Sequence, residues 1–131
     1  MISKTYMVPG DPIPLARCRY GGRGQIYDAQ KHLKNQWQIV LAHQHENIPL
    51  FTGALFLDIT FFFPMPLSLK RKWPQLQYKP HNNTPDIDNC VKFIFDVGNN
   101  ILYPDDRSIC QVQARKLYDY EPRTEFTITT L

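Results

Sequence analysis

The chain has 131 residues, of which 43% are apolar and 21% are charged, and this composition excludes an intrinsically disordered protein. The length suits one hydrophobic core, so we expect residues 1–131 to form a single domain. A formal net charge of +3 is too small to establish a nucleic-acid partner, although clustered positive charge would allow one.

Cysteine usage and hydropathy indicate a cytoplasmic protein. Cys18, Cys90 and Cys110 cannot all pair within the chain, and no two of them have the spacing of a zinc site. Unpaired thiols are typical of a reducing compartment. The sequence lacks the apolar run of a signal peptide and contains no run long enough to cross a bilayer. We therefore expect a soluble protein without a membrane partner.

The first third of the chain predicts a strand, a basic loop and a helix. Residues 5–8 favour a short strand, which the following Pro-Gly pair ends. The glycine-rich stretch after it indicates a hairpin tip or a loop that carries three arginines, Arg17, Arg19 and Arg23. Asp28 is expected to cap a helix over residues 29–46. Four apolar residues recur there at helical spacing, namely Leu33, Trp37, Val40 and Leu41.

The middle of the chain predicts a strand followed by a long loop. Residues 53–63 place apolar side chains at every second position, which is typical of a strand in the centre of a sheet. Residues 64–83 are interrupted by prolines and are expected to form a loop. This loop contains a basic cluster with a tryptophan, Lys70, Arg71, Lys72 and Trp73.

The last third of the chain predicts one helix and three strands. The stretch TPDIDNCVKFIFD is amphipathic and favours a helix that starts at Pro85 or slightly later and ends near Gly98. Strands are expected at residues 101–103, 109–118 and 124–130, with a turn at residues 104–106. Strands outnumber helices and do not alternate with them, so we expect an α+β fold with a mixed β-sheet packed against two main helices.

Two acids lie one residue apart at the start of this helix. Asp86 and Asp88 would point away from each other in a regular helix but towards one side in an extended segment. Because Pro85 favours extended geometry before it, both acids are expected at the mouth of the helix. Attraction to the helix dipole is one explanation. Two like charges held close also repel each other unless a cation intervenes, which favours a metal site.

The turn at residues 104–106 adds two more acids, Asp105 and Asp106, and it can return to the mouth of the helix. Carboxylates of this kind suit Mg²⁺ or Mn²⁺, which can activate water and neutralise charge on a phosphodiester. Lys92 lies one turn after Asp88. It either stabilises a reacting phosphate or forms an ion pair with Asp88 or Asp96, and the residues alone leave both interpretations open.

The stretch TPDIDNCVKFIFDVGNNILYPDDRSI resembles the core of the RusA-type Holliday-junction resolvases, endodeoxyribonucleases that are common in phages and prophages. That core has a Pro-Asp-hydrophobic-Asp-Asn motif, then a lysine, an aspartate, and a Tyr/Trp-x-Asp-Asp turn before a strand. Eight residues fall on these positions: Asp86, Asp88, Asn89, Lys92, Asp96, Tyr103, Asp105 and Asp106.

The resemblance implies an activity, an oligomeric state and a location in the cell. It implies a Mg²⁺-dependent DNA endonuclease that resolves four-way junctions by symmetrical paired nicks, in recombination and repair. Mn²⁺ would substitute for Mg²⁺. It also implies a homodimer of one RusA-like endonuclease domain, residues 1–131, in the cytoplasm of a bacterial cell and encoded by the cell, a phage or a prophage.

The resemblance also implies roles for single residues. Three carboxylates would bind the metal, namely Asp86, Asp88 and Asp106. Lys92 would be the catalytic lysine. Three polar neighbours would support the site, namely Asn89, Asp96 and Asp105. The chain has Ser108 where members of the family often have glutamine, which alters any DNA contact made at that position.

DNA needs basic contact surfaces, and two segments offer them. The candidates lie on the two predicted loops: Arg17, Arg19, Arg23, Lys70, Arg71, Lys72 and Trp73. Lysine and arginine can neutralise phosphates, and tryptophan can stack on an unpaired base. Solvated loops are the alternative, and the resemblance favours DNA contact for the first loop more than for the second. His43 and His45 diverge on the predicted helix and are expected at the surface, and His81 lies near the acidic motif.

Two other classes of function remain open. A DNA-binding module with structural acids would bind junctions without metal and without nicking. A nucleotide-sugar transferase is the second alternative, because Asp-x-Asp also binds a Mn²⁺–diphosphate. The chain lacks an evident nucleotide-binding βαβ unit, which argues against the transferase.

Overall fold

A computed structural model describes residues 1–16, 19, 20, 22 and 26–131. The strands are β1 (Ser3–Pro9), β2 (Arg19–Tyr20), β3 (Ile26–Tyr27), β4 (Leu55–Pro64), β5 (Ile109–Asp119) and β6 (Arg123–Thr130). The helices are α1 (Lys31–Gln44), α2 (Trp73–Leu76) and α3 (Ile87–Gly98). We call the 3₁₀ turn at Leu67–Lys72 the first and that at Asp106–Ser108 the second.

Four strands form a mixed sheet in the order β1-β6-β4-β5, and β2 pairs with β3 in a separate hairpin. The strand β4 is antiparallel to β6 and parallel to β5, and β1 is antiparallel to β6 with Ser3 opposite Thr129. Alternate residues of β4 are buried on one face: Leu55, Leu57, Ile59, Phe61 and Phe63. The predicted α+β fold, with residues 53–63 in a central strand, is confirmed.

Helices α1 and α3 cover this apolar face. They pack side by side, and the ring of Trp37 meets that of Phe93 edge to face with 5.2 Å between centroids. Helix α1 lies against β1 and α3 lies against β5, so α3 runs along one margin of the sheet. The opposite face is polar and includes an ion pair between Arg115 and Asp58 at 2.7 Å. The sheet therefore has one face covered by helices and a second face that is polar except around the buried ring of Phe62.

The start of α1 differs from the prediction. Gln30, and not Asp28, is the residue before the first helical turn, and no side chain caps it. Asp28 instead accepts a hydrogen bond from the Gln30 N–H at 2.9 Å and pairs with Lys34 at 2.5 Å. The side chain of Asp28 thus closes a turn before the helix rather than the helix itself.

The expected surface position of His45 is wrong. The residue is buried, and its Nδ1 lies 2.5 Å from the hydroxyl of Tyr6. Its Nε2 lies 3.0 Å from the carbonyl oxygen of Pro49. The ring centroid lies 5.9 Å from that of Tyr6 and 5.5 Å from that of Phe51, so the imidazole packs among buried aromatic rings.

Two other segments differ from their predictions. Residues 64–83, expected as a loop, contain the first 3₁₀ turn and α2. Residues 101–103, expected as a strand, form a tight turn in which the N–H groups of Ile101 and Leu102 both donate to the carbonyl of Gly98. Leu102 and Tyr103 are fully buried. The apolar run therefore reflects burial of a turn and not sheet pairing.

Two cysteines fall within the described residues, and their environments differ. Cys90 is a buried free thiol and Cys110 an exposed one, whereas Cys18 lies outside the described residues. Burial raises the pKa of Cys90 to about 11, so the thiol is neutral near pH 7. In the described part of the chain, no helix is both long enough and apolar enough to span a bilayer.

Candidate functional site

The two acids of the first motif lie at the start of α3. Asp86 precedes the helix with extended backbone angles (φ −66°, ψ 142°), and Asp88 lies in the first turn. Both are exposed, and neither side chain caps the helix. In the described residues, neither carboxylate takes part in a hydrogen bond or an ion pair. These acids are therefore available to a ligand.

A wide hollow of about 630 Å³ opens beside these carboxylates. Eight residues line it: His81, Asn82, Asn83, Thr84, Asp86, Ile87, Asp88 and Lys116. Most of these side chains are polar, and the hollow is open to solvent. It can admit a charged ligand such as a phosphodiester.

Lys116 reaches this hollow from β5. Its ammonium group donates hydrogen bonds to the carbonyl oxygens of Asn83 at 2.5 Å and Pro85 at 2.6 Å. Sequence reasoning missed this residue. The signal was present, because a lysine occupies a position of β5 that shares its face with Val112, Ala114 and Tyr118.

His81 is held at the side of the hollow. Its ring stacks on Phe63 with 4.1 Å between centroids and lies 4.9 Å from Tyr118. Burial, and then the charge of Lys116, lower the pKa of His81, which favours the neutral ring. Its Nδ1 is buried without a hydrogen-bond partner in the described part of the chain. The structure therefore fixes the position of His81, which the sequence left open, in the wall of the hollow that also contains Asp86 and Asp88.

The second acidic segment lies at the other end of α3. The side-chain amide of Asn99, just after the helix, donates to the carboxylate of Asp106 at 3.4 Å. The Asp105 carboxylate accepts a hydrogen bond from the Arg107 N–H at 2.9 Å and so caps the second 3₁₀ turn. The Tyr103 hydroxyl donates to the carbonyl of Phe95 at 2.9 Å. These bonds fix the turn against the end of the helix.

The length of α3 separates the two acidic segments. Asp88 and Asn99 are about 16 Å apart along the axis, at the usual helical rise of about 1.5 Å per residue. Among the described residues, no three histidine, cysteine, aspartate or glutamate side chains lie close enough together to hold a metal ion. In this single chain, then, the turn that carries Asp106 does not reach Asp86 and Asp88. The metal-binding role of the three carboxylates stays a prediction.

The remaining residues of the motif have identifiable contacts. Lys92 is exposed, and in the described residues it forms no ion pair with either neighbouring acid. Asp96 pairs instead with Lys34 of α1 at 2.9 Å. The carbonyl of Asn89 accepts a hydrogen bond from the Leu15 N–H at 2.9 Å. The ammonium group of Lys92 thus has no partner in the described structure that would hold it back from a substrate.

The proposed DNA-contact residues are only partly described. Arg17 and Arg23 lie outside the described residues, and Arg19 belongs to β2. Three basic residues of the first 3₁₀ turn are exposed, namely Lys70, Arg71 and Lys72. Trp73 is half-buried, and its indole N–H donates to the carbonyl of Pro66 at 2.9 Å. Base stacking by Trp73 stays a prediction.

Comparisons with known proteins show what the chain is similar to. The family described as endodeoxyribonuclease RusA matches residues 9–129. An uncharacterized protein of Bacillus subtilis (strain 168), YqaN, is 29% identical over 137 residues, which cover 94% of this chain and 93% of that protein. A crossover junction endodeoxyribonuclease, rusA, of Lactococcus phage r1t is 32% identical over 85 residues, which cover 64% of this chain and 56% of the phage protein.

Proposed function

The chain belongs to the RusA endodeoxyribonuclease family, and from this we propose that it resolves Holliday junctions in DNA recombination and repair. The proposed reaction is Mg²⁺-dependent hydrolysis of one phosphodiester bond in each of two strands, which gives symmetrical paired nicks. The observation that carries this proposal is the pair of unengaged carboxylates at the start of α3, beside a hollow open to solvent. We place the protein in the cytoplasm of a bacterial cell, encoded by the cell, a phage or a prophage.

The donor set of the site fits a hard divalent cation. Asp86 and Asp88 offer carboxylate oxygens that no protein donor occupies in the described structure, and Asp106 is the third proposed ligand. Bound Mg²⁺ would activate a water molecule and neutralise charge on the phosphodiester, and Mn²⁺ would substitute. Lys92 lies on the same side of α3 as Asp88, and its ammonium group would stabilise the charge that develops on the phosphate.

Four further residues support the proposed ligands. Asn99 holds the carboxylate of Asp106, and Asp105 shapes the turn that carries it. Asp96 pairs with Lys34 and so joins α3 to α1. Asn89, through its carbonyl, holds the segment after β1 against α3. Their role in the reaction would be to fix the positions of the ligands.

A homodimer would bring the separated acids together. If a two-fold axis perpendicular to α3 places a second α3 beside the first, the two helices run antiparallel. The start of one helix then lies next to the end of the other. In that arrangement Asp86 and Asp88 face Asp106 of the partner subunit, and each dimer contains two complete sites. Two sites related by symmetry are what paired nicks in opposite strands require.

The outer edge of β5 offers a surface for such pairing. Residues 78–81 cover its second half, where the Tyr78 N–H donates to the Tyr118 carbonyl at 2.8 Å. Within the described residues, the first half of this edge, residues 109–114, has no strand beside it. Its sequence ICQVQA contains neither charge nor proline, the usual protections of a free edge. Val112 is 45% exposed although it points to the covered face of the sheet.

Helix α3 adds an apolar stripe above this edge. Ile87, Val91 and Phe95 recur every four residues and therefore share one side of the helix. Ile87 is 38% exposed, and the other two are half-buried. This side is turned away from Asp96, which contacts α1. We propose that the stripe and the free half of the β5 edge form the dimer interface.

Basic segments would bind the arms of the junction. Lys70, Arg71 and Lys72 form an exposed cluster that can neutralise phosphates, and Trp73 anchors this cluster through its bond to Pro66. We propose the same phosphate contact for the three arginines between β1 and α1, Arg17, Arg19 and Arg23. Stacking of Trp73 on an unpaired base would add to the affinity for branched DNA.

Cleavage of a synthetic four-way junction tests the function and the composite site together. With Mg²⁺ the chain should nick two opposed strands, and Asp86→Asn or Asp106→Asn alone should nick neither. Mixing the two variants should restore nicking, because half of the sites in each mixed dimer combine an intact Asp86–Asp88 pair with an intact partner acid. Wild-type rates in the single variants would overturn the assignment of the site.

The same assay separates the other two classes of function. A binding module would bind the junction equally with and without divalent metal and would never nick it. A transferase would turn over a nucleotide sugar and leave DNA uncut. Family membership favours neither of these outcomes.

A further inference from the structure

We propose that Lys116 is a positioning residue of the nuclease site, which fixes the backbone that carries Asp86 and places a positive charge beside the Asp86–Asp88 pair. This inference rests on the proposed function and assigns a part of the site outside the acidic motif. It concerns a residue of β5 that lines the hollow, whereas Lys92 lies on α3.

The place of Lys116 in the sheet is unusual for a lysine. Its register partner in β4 is Phe61, which is fully buried on the helix-covered face. Side chains at paired positions of neighbouring strands point to the same face, so Lys116 starts from the core side of the sheet. The side chain is half-buried, and its ammonium group lies 5.6 Å from the ring centre of Phe63. A charge in such a position needs specific partners.

These partners are backbone carbonyls of the segment before α3. The Nζ atom donates to Asn83 and Pro85, and the N–H of His81 donates to the carbonyl of Lys116 at 2.9 Å. One residue thus ties the segment to β5 at two points, through its backbone and through its side chain. Asp86 follows directly, so the direction of its carboxylate depends on these bonds.

The charge of Lys116 is not cancelled by an acid. Among the described residues it takes part in no ion pair, and its two hydrogen bonds go to neutral carbonyls. An ammonium group has three donors, so one remains for a ligand in the hollow. A phosphate oxygen near Asp86 and Asp88 would accept a hydrogen bond from this third N–H group of Lys116. A fixed cation beside two carboxylates also reduces the repulsion that a phosphodiester would meet there.

Lys116 and Lys92 therefore differ in what they can do. Lys92 is exposed on α3, so its side chain is free to move towards a bound substrate. Lys116 is held by two backbone carbonyls and fixes the position of the backbone before Asp86. Removing a positioning residue should disturb the mouth of the helix even without DNA. A residue that contributed only general stability would leave the local backbone unchanged.

Amide hydrogen exchange tests the positioning role without any reaction. In Lys116→Met, which keeps the length of the side chain but removes its donors, peptides covering residues 82–90 should exchange at least about tenfold faster. Lys116→Arg should restore much of the protection, since it keeps a charged donor. Lys79→Met is the matched control, because Lys79 is exposed on the same segment and should leave exchange unchanged. Lys116→Gln, which keeps an amide donor, replaces the methionine variant if that variant does not fold.

Metal binding and cleavage complete the test. Lys116→Met should weaken Mn²⁺ binding, measured by electron paramagnetic resonance without DNA, by about tenfold, as is typical when the support of a metal ligand is lost. Nicking should slow while the junction dissociation constant in Ca²⁺ changes little. Wild-type exchange and wild-type Mn²⁺ binding in Lys116→Met would overturn the positioning role alone. A wild-type chain that neither binds Mn²⁺ nor nicks a junction would overturn the proposed function, and the exchange measurement would still decide the role of Lys116.

Discussion

Both ends of α3 carry aspartates, but their surroundings differ. At the start, Asp86 and Asp88 are exposed and engaged by no protein donor in the described residues. Towards the far end, Asp96 pairs with Lys34, and Asp106 accepts a hydrogen bond from the asparagine that follows the helix. A carboxylate that already has a protein donor is fixed and partly compensated, whereas one without a donor keeps its charge for a ligand. The comparison separates Asp96, whose charge is paired within the fold, from Asp86 and Asp88, which can bind, whereas the neutral amide on Asp106 holds that acid in place without pairing its charge.

The largest expected effect is on cleavage. Asp88→Asn keeps the shape of the side chain and removes a charge that no protein group compensates, so single-turnover nicking in Mg²⁺ should slow by at least about 100-fold, or ~2.7 kcal/mol. Asp96→Asn should slow single-turnover nicking by less than about tenfold, because the Asp96 carboxylate forms an ion pair with Lys34 and is not a proposed metal ligand. Equal losses in the two variants would remove the distinction between the two ends.

At the C-terminal end of α3, the free energy of unfolding should depend strongly on side-chain packing. A Cβ atom at Gly98 would lie 2.4 Å from the hydroxyl of Tyr103, which is fully buried. Gly98→Ala should therefore lower the free energy of unfolding by about 1–3 kcal/mol, even though alanine favours a helix. Urea denaturation measures this loss. In a Tyr103→Ala background the same change should cost clearly less, and additive effects would contradict the clash.

The smallest expected effect concerns pH. The hydrogen bond from Lys34 holds the pKa of the Asp28 carboxyl below its usual value. A carboxyl with a lowered folded pKa stabilises the fold above its unfolded pKa, near 4, and loses that contribution as the pH falls through the folded value. Because Asp28 is partly exposed, the contribution should be at most about 1 kcal/mol.

Removal of Lys34 tests this pH dependence. Lys34→Met should make the loss of stability below pH 4 less steep in thermal unfolding followed from pH 7 to pH 2.5. Lys31→Met removes an exposed lysine from the same helix and should keep the wild-type slope. If both variants kept that slope, the pair with Asp28 would have no role in acid stability.

Local sequence patterns were sufficient to predict the central strand β4 and the helix α3. Apolar residues at every second position identified β4, because one side of that strand is buried. Apolar residues at helical spacing identified α3, because they face the sheet. The two segments that were predicted wrongly lack such a period. Residues 101–103 are apolar because they fill the core as a turn, and a run of three residues cannot distinguish a strand from a buried turn.

The candidate site could be predicted only in part from the sequence, and the reason is different. Its acids are visible as a motif, but their distance depends on the helix between them, and its length of 12 residues already implies a separation of about 16 Å. The alternation in β5 places Lys116 among apolar residues, but its partners are backbone carbonyls 31 and 33 residues away, and no local pattern reveals those contacts. Contacts between distant segments depend on tertiary packing, so the sequence showed the acids but not the lysine beside them.

The pairing of β1 with β6 has a practical consequence for engineering. The Thr130 N–H donates to the carbonyl of Ile2 at 2.9 Å, so the two termini lie side by side. A short linker could join them, and new termini could be opened in the exposed connection between α1 and β4. Such a circular permutant would start near β4 and carry the whole of α3 and Lys116 in its first half. Random libraries confined to that half would then cover the proposed metal and positioning residues without touching the first strand or α1.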